Sequence, residues 1–484
     1  MRVPNRSGLG SFLAGAGSEM ALRRIEELRT TEYAYLDDGD HVYLDYTGAG
    51  LPATRQLYAH VKRVASGCFG NPHSDNPTSM ASTVLVEQAR QAVLRWFNTS
   101  ADEYAVVFTP NATGACRLVG EAYPFGPHRR LVLTADNHNS VNGLRRFARS
   151  RGGAVCYIPL STPELRVAEE NLASTLGGPR KGLFAYPAQS NFTGVRHPLS
   201  WVARAQEAGY DVLLDAAAFV PSCRLHLGVI KPEFVAMSWY KVFGYPTGVG
   251  CLLARRDAFA RLRRRRPWFS GGTIMAVSVQ GNWHKLAEDE AAFEDGTLNF
   301  LAIPDVTEGL AWMDSIGMDA VSEHVERLTG RLLHGLIDLK HTNGSPMARI
   351  YGPRDTIGRG GTVALNFLDP SGALVDERAV ARDSSAAGIS VRTGCFCNPG
   401  AGEWAFGLSR RNVRGGWWRG FARQGSRTVD DYLRMIGLPV GGAVRVSVGL
   451  PSNMADIERF LDFAERTYRD RPVSRAGLSP RLHC

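Results

Sequence analysis

The chain has 484 residues, 44% of them hydrophobic, and a formal net charge of +9. That is enough for one large and one smaller domain, and no apolar run approaches the ~20 residues of a membrane span. Eight cysteines, at positions 68, 116, 156, 223, 251, 395, 397 and 484, form no CxxC pair and are too sparse for a disulfide scaffold, so the expectation is a reduced, cytoplasmic protein outside any membrane.

The start, Arg2 to Arg6 and then Gly8 to Ala14, has an apolar part too short and too broken by glycine for an export signal. Residues 1–30 read as a lead-in ending in an amphipathic helix over Ser18 to Thr31, with Met20, Leu22, Ile25 and Leu28 on one side. Val42-Tyr43-Leu44-Asp45 predicts a short strand, broken by Gly48-Ala49-Gly50, and Thr83 to Phe97 a helix. The apolar run Ala105 to Thr109 then enters Pro110-Asn111-Ala112-Thr113-Gly114 ahead of a helix over Ala115 to Ala122. A strand, a small-residue loop with a hydroxyl and a helix start together suit a phosphate, because free N–H groups and the helix dipole favour a dianion.

Leu131 to Thr134 predicts another strand, and His138 follows near its carboxyl end, where ligands bind in open α/β sheets. Gly182 to Pro187 and Val212 to Asp215 continue the pattern, the first followed by Gln189, Ser190 and Asn191. Phe234 to Ser238 and Gly248 to Ala254 predict strands on either side of Ser238-Trp239-Tyr240-Lys241-Val242-Phe243-Gly244. Strands alternating with helices, with polar residues just beyond the strand ends, predict a mostly parallel sheet with a site along its carboxyl edge. A buried strand stopping on Asp215, then a lysine among aromatics, suits pyridoxal phosphate. That cofactor needs an amine for a Schiff base and a carboxylate beside its pyridine nitrogen, and an apolar neighbourhood lowers an amine's pKa.

The basic run Arg261-Leu262-Arg263-Arg264-Arg265-Arg266 reads as a solvated helix face, and no nucleic-acid module accompanies it. Glycine loops follow at Phe269 to Thr273 and Phe293 to Thr297. Helices over Glu308 to Met313 and Val321 to His334 lead into a smaller α+β part. Its predicted strands are Thr362 to Phe367, Ile389 to Arg392 and Ala443 to Val448, with a closing helix over Asn453 to Tyr468. The expected division is a large domain over 31–305, a small domain over 306–469 carrying the cysteine pair, and a disordered Arg- and Pro-rich tail over 470–484.

These motifs, in this order, resemble the class V aminotransferase-like pyridoxal phosphate enzymes, and most closely the cysteine desulfurase domain of molybdenum cofactor sulfurases. The resemblance spans residues 30 to 468. It is carried by Tyr43-Leu44-Asp45, Asn71-Pro72-His73-Ser74, Asn111 to Ala115, Pro187 to Gly194, Tyr240 to Gly244, Phe293 to Phe300 and Arg392-Thr393-Gly394-Cys395-Phe396-Cys397-Asn398-Pro399-Gly400. It implies transferase fold type I, with a seven-stranded large domain.

The resemblance also implies roles. Lys241 carries the Schiff base and moves protons, Asp215 pairs with the pyridine nitrogen and His138 stacks on the ring. Thr113 and its loop, with Ala112, hold the phosphate, Ser238 also contacts the cofactor, and Asn191 bonds near the ring oxygen. Thr273 reaches the phosphate of a neighbouring subunit, which implies a homodimer. Arg445 clamps the substrate carboxylate, a task suited to a guanidinium fork, and Arg392 and Asn191 also bind the substrate. Cys397 accepts sulfur from L-cysteine, alanine leaves, and the persulfide passes to an acceptor protein or small molecule, while Cys395 is expected to line the loop rather than form a bridge with Cys397.

Three departures qualify the resemblance. Tyr240 replaces the histidine usual before the lysine in cysteine desulfurases, and Ala218 the glutamine three residues after the aspartate; both match the molybdenum cofactor branch. Gly402 stands where that branch often has another cysteine, and no room is expected after the closing helix for the cofactor-binding domain of its eukaryotic members. The sulfur acceptor therefore stays open, and a C–S lyase or another amino-acid lyase or epimerase is the rival reading for the same pocket.

Overall fold

The computed structural model describes residues 22–409, 411, 428–438 and 440–481. The Arg2–Arg6 start and the first residues of the helix expected from Ser18 lie outside them; residues 22–31 are helical.

Seven strands form the large sheet. They are β2 (Tyr104–Thr109), β3 (Arg129–Thr134), β4 (Val155–Ile158), β5 (Lys181–Pro187), β6 (Asp211–Asp215), β7 (Phe234–Ser238) and β8 (Gly250–Arg255), in the order β2-β8-β7-β6-β5-β3-β4. All neighbours from β7 to β4 pair in parallel, and only β8 runs against its two neighbours. The expected mostly parallel sheet is present. Side-chain alternation explains why these strands read as unbroken apolar runs. Val212 and Leu214 enter one core and Leu213 the other, as Phe184 and Tyr186 oppose Leu183 and Ala185. Both faces are covered, so a parallel strand needs apolar residues at every position.

A second sheet orders β11 (Ala348–Tyr351), β12 (Thr362–Phe367), β15 (Ala443–Ser447) and β14 (Arg392–Gly394). Its core is continuous with one face of the large sheet, through Val325, Phe367 and Phe460. The strand expected over Ile389 to Arg392 divides: β13 (Ile389–Ser390) pairs with β1 (Val42–Tyr43), and β14 pairs with β15.

That pairing joins the start of the chain to its C-terminal part. The segment around β1 was expected in the large domain, yet it builds onto the C-terminal part: Asp45 bridges Ser447, and Arg29 Nη1 lies 3.0 Å from Asp456 Oδ2. A two-residue strand whose partner is hundreds of positions away leaves no local signal. Between the two expected glycine loops stands an unforeseen hairpin, β9 (Ile274–Ser278) with β10 (Trp283–Leu286).

The basic run is also less solvated than expected. Its helix ends at Arg263, Arg261 pairs with Asp211 and Asp257, and the Arg266 side chain is 2% exposed, paired with Asp295. Within the tail expected to be disordered, Arg481 makes part-buried ion pairs. Its guanidinium joins Asp376, Glu377 and Asp430, a carboxylate cluster that needs a cation. Among the described residues no helix is long and apolar enough to cross a membrane.

Candidate active site

Five strands end on one edge of the large sheet, and their following loops line a cavity of about 380 Å³. β6 delivers Asp215. β7 delivers Ser238, and the short helix after it (Trp239–Phe243) delivers Lys241. The loop after β3 brings His138, the loop after β5 brings Gln189 and Asn191, and the helix start after β2 brings Ala112 and Thr113. The carboxyl edge is where an open α/β sheet leaves a crevice. The structure thus gathers Lys241, Asp215, His138, Ala112, Thr113, Asn191 and Ser238 around one space.

Lys241 Nζ makes no hydrogen bond or ion pair with a described residue. Burial holds its pKa below the ordinary lysine value; Asp215 and Asp45 oppose that shift, while Arg445 and Arg392 add to it. The amine is therefore biased toward its neutral, nucleophilic form. Asp215 is 8% exposed, and its Oδ1 accepts from the Ala217 N–H at 3.0 Å. A buried amine and a buried carboxylate that share a cavity without pairing leave room for a group between them.

Burial also pulls His138 down to about 4, helped by Lys241 and Arg445. Its Nδ1 accepts from the Ser140 N–H at 3.1 Å and lies 2.9 Å from Ser140 Oγ. A neutral imidazole that accepts at Nδ1 carries its proton on Nε2. Ser140 Oγ in turn lies 2.6 Å from Thr113 Oγ1. At the helix start, Ala112 N–H donates to Ser238 Oγ at 2.9 Å, and Asn111 Oδ1 caps Gly114. Two of the N–H groups expected to be free are thus used by the chain itself; the Thr113 N–H, the Ser238 hydroxyl hydrogen and at most one hydroxyl hydrogen of the Thr113–Ser140 pair remain for an anion. Gly250 lets this loop lie on β8, since an added Cβ would fall 2.7 Å from Asn111 Cα.

Arg445, inside β15, is 2% exposed. Its Nη2 donates to Asp45 Oδ1 at 2.8 Å and its Nη1 to the Asn191 carbonyl at 3.1 Å, while its Nε is buried without a partner. Arg392 holds the other side of Asp45, with Nη2 2.5 Å and Nε 2.9 Å from Oδ2. One carboxylate thus orients both arginines; neither is among the residues lining the cavity, and the Arg445 Nε is left a buried, unpaired donor.

The cysteine loop docks against the cavity. Cys397 is free and exposed, whereas Cys395 is disulfide-bonded, with a partner other than Cys397. The expectation that Cys395 only lines the loop is corrected to that extent. Asn191 also departs from expectation. Its Nδ2 donates to the Phe396 carbonyl at 2.8 Å and its Oδ1 accepts from Asn398 Nδ2 at 2.9 Å, so both amide atoms serve the cysteine loop. Thr273 is absent from the cavity lining. It is fully buried, and its hydroxyl is spent on Ser270 within its own turn, donating to the carbonyl at 2.8 Å and accepting from the N–H at 2.9 Å.

Sequence reasoning gave no role to Asp45, Ser140, Gln189 or Asn398. Asp45 and Asn398 lay inside the motifs it singled out, but their partners are remote in sequence. The lysine, the carboxylate, the hydroxyl-lined helix start and the space between them fit pyridoxal phosphate. Among the described residues no His, Cys, Asp or Glu cluster could hold a metal ion.

A seven-stranded, mostly parallel sheet with a buried lysine and aspartate at its carboxyl edge defines a fold shared by many amino-acid-transforming enzymes. The chain belongs to the class V aminotransferase family, whose pattern matches residues 42–460. It is 34% identical over 505 residues to a molybdenum cofactor sulfurase of Solanum lycopersicum, with 98% of this chain and 60% of that protein covered. The chain thus spans well under two thirds of that relative's length. Among solved structures it resembles the apo cysteine desulfurase of Thermococcus onnurineus NA1, with a TM-score of 0.74 and 22% identity over 92% of this chain and 98% of that one. It also resembles a cystine C–S lyase in complex with cysteine persulfide, with a TM-score of 0.65 and 18% identity over 89% and 98% of the respective chains. At those identities the two structures speak for the fold.

Proposed function

We propose that this chain is a pyridoxal-phosphate-dependent cysteine desulfurase, which moves sulfur from L-cysteine to Cys397 and releases alanine. The observation that carries the reading is the free, exposed Cys397 on a loop pinned against the walls of the Lys241–Asp215 cavity. Likeness to molybdenum cofactor sulfurases and cysteine desulfurases supports it.

Bound pyridoxal phosphate supplies an electron sink that acidifies the amino acid's Cα–H. Lys241 Nζ would hold the cofactor and would take and return protons at the substrate; its lowered pKa suits both tasks. Asp215 would pair with the pyridine nitrogen. His138 offers a neutral ring face, and the Thr113 N–H with the Ser140 and Ser238 hydroxyls takes the phosphate. Arg445, steadied by Asp45 and seconded by Arg392, takes the substrate carboxylate through its unpaired Nε. Cys397 Sγ, as thiolate, attacks the substrate sulfur. The S–S bond forms as the Cβ–S bond breaks, its electron pair stays with carbon, and a proton completes the methyl group of alanine.

The persulfide sulfur then goes to an acceptor: molybdenum cofactor, a carrier protein or another thio-product. A homodimer is part of this reading. The hairpin β9–β10 exposes Met275, Val277, Val279 and Trp283, an apolar surface that suits a second copy. A cytoplasmic setting is also part of this reading; the free Cys397 thiol suits it, whereas the disulfide at Cys395 does not. The rival reading, a C–S lyase, uses the same lysine, aspartate and histidine without Cys397.

The test is to incubate the holoenzyme with L-cysteine and reductant and to quantify alanine, sulfide and pyruvate. Equal alanine and sulfide without pyruvate is the expected result. Pyruvate and sulfide without alanine would replace this reading with the lyase.

A further inference from the structure

The cysteine loop holds a conformation that it cannot keep by itself. Phe396 and Cys397 are consecutive non-glycine residues in the left-handed region, with φ of +54° and +52°. Such a conformation is costly and persists only where the surroundings over-determine it. What over-determines it here is a set of hydrogen bonds to the two large-domain loops that border the cavity. Asn139 N–H donates to the Cys397 carbonyl at 2.7 Å, and Asn191 Nδ2 donates to the Phe396 carbonyl at 2.8 Å. The next residue, Asn398, is fully buried and gives both its amide hydrogens to the same loops: Nδ2 lies 2.6 Å from the Asp136 carbonyl and 2.9 Å from Asn191 Oδ1.

The platform is itself rigid. The Asp136 carboxylate is buried against His197 Nε2 at 2.8 Å, and Asn137 Nδ2 ties the loop to the carbonyls of Thr134 and Ala185 at 2.9 and 3.0 Å. Gly400 permits the close approach, because an added Cβ would fall 1.9 Å from the Ala135 carbonyl oxygen.

We propose that Asn398 is the positioning residue for Cys397: its amide latches the cysteine loop onto the His138-bearing loop and onto the cavity-lining Asn191. The latch thereby sets where the thiol meets the substrate sulfur. This deepens the reading of Cys397 as the sulfur acceptor and rests on it. The two ends of the Asn398 side chain do separate work. Oδ1 accepts from the Ala401 N–H at 3.1 Å and caps the helix Pro399–Ala405, whereas Nδ2 makes the latch. Asn398→Asp keeps a capping oxygen, since aspartate caps as well as asparagine, but it has no hydrogen to donate. Asn398→Ser keeps a capping hydroxyl, adds no charge and is too short to span the latch.

The experiment uses the holoenzymes of wild type, Asn398→Asp and Asn398→Ser. It measures persulfide formation at Cys397 with L-cysteine, the KM for L-cysteine, and, without substrate, peptide-resolved alkylation of Cys397 by iodoacetamide. Both variants are expected to slow persulfide formation by about ten- to a hundredfold, the worth of two hydrogen bonds. KM is expected to hold, and Cys397 alkylation to quicken several-fold. An equal effect on KM and the rate, or a wild-type rate in both variants, overturns the proposal and leaves Asn398 a helix cap. Faster alkylation in the variants with no persulfide in wild type would keep the latch and reject the desulfurase reading instead. The serine variant decides should the aspartate variant fail to fold.

Discussion

Arg445 Nη2 lies 2.8 Å from Asp45 Oδ1, although the residues stand 400 positions apart in the chain. Arg445 is buried in the middle of an apolar strand, and burial pulls its pKa down while Asp45 pushes it up. The pair keeps a cation at the proposed substrate carboxylate site. It also ties the N-terminal segment to the C-terminal sheet, beside the Asp45–Ser447 bridge.

Asp45→Ala would leave a buried charge without its counter-ion. Breaking a buried pair in this way costs ~3 kcal/mol or more, and that loss is expected in urea unfolding of the apo chain. Asp45→Asn, which retains an acceptor, is expected to lose less. In the holoenzyme Asp45→Asn should weaken L-cysteine binding more than it weakens binding of cysteamine, which has no carboxylate. Equal effects on both ligands would remove Asp45 from the substrate site.

His138 gives a pH dependence whose sign follows from its shift. Its folded-state value lies near 4, below the ordinary 6.5, so between those values the unfolded chain binds the extra proton. Its contribution to stability is fully present above about pH 6.5 and is lost as pH falls toward 4. Unfolding free energies of the apo chain, measured from pH 7 to 4, should therefore fall more steeply for wild type than for His138→Phe. Parallel curves would show that His138 titrates normally.

Lys241 is the sole lysine lining the cavity, and Asp215 its sole carboxylate, among the described residues. Lys241→Ala is expected to abolish turnover and the visible colour of the holoenzyme. Asp215→Ala is expected to weaken cofactor binding in an absorbance titration and to reduce alanine release by orders of magnitude. A Lys241→Ala protein with steady-state activity, or an Asp215→Ala protein indistinguishable from wild type, would remove the corresponding role.

The core of this fold was legible because its signals are local. β5, β6 and β7 are buried on both faces, so Leu183 to Tyr186, Val212 to Leu214 and Val235 to Met237 read as strands without any knowledge of their neighbours. β6 ends on Asp215 and β7 on Ser238, and Gln189 follows β5 after Pro187, which marked the site edge. The hairpin β9–β10 was illegible because Val277 and Val279 face outward, and no buried alternation betrays it. The split of residues 389–394 between two sheets depends on β1, which is far away in sequence. Residue types announced Lys241, Asp215 and His138. The tasks of Asp45, Asn191 and Asn398 are relations between remote loops, and a buried amide looks the same in sequence whether it touches a cofactor or a neighbouring loop.

The central claim is that Cys397 receives sulfur. Its most direct test is the mass of the peptide carrying Cys397 after a single turnover of the holoenzyme with sulfur-labelled L-cysteine, in wild type, Cys397→Ser and Cys395→Ser. The expected result is one labelled sulfur on Cys397 in wild type, with alanine released in equal amount. Cys397→Ser should bind cysteine, as judged by the spectral change, yet form almost no alanine, and Cys395→Ser should keep much of the activity. Conversion of cysteine by Cys397→Ser at the wild-type rate, with pyruvate and sulfide as products and no label on the wild-type peptide, would contradict the claim.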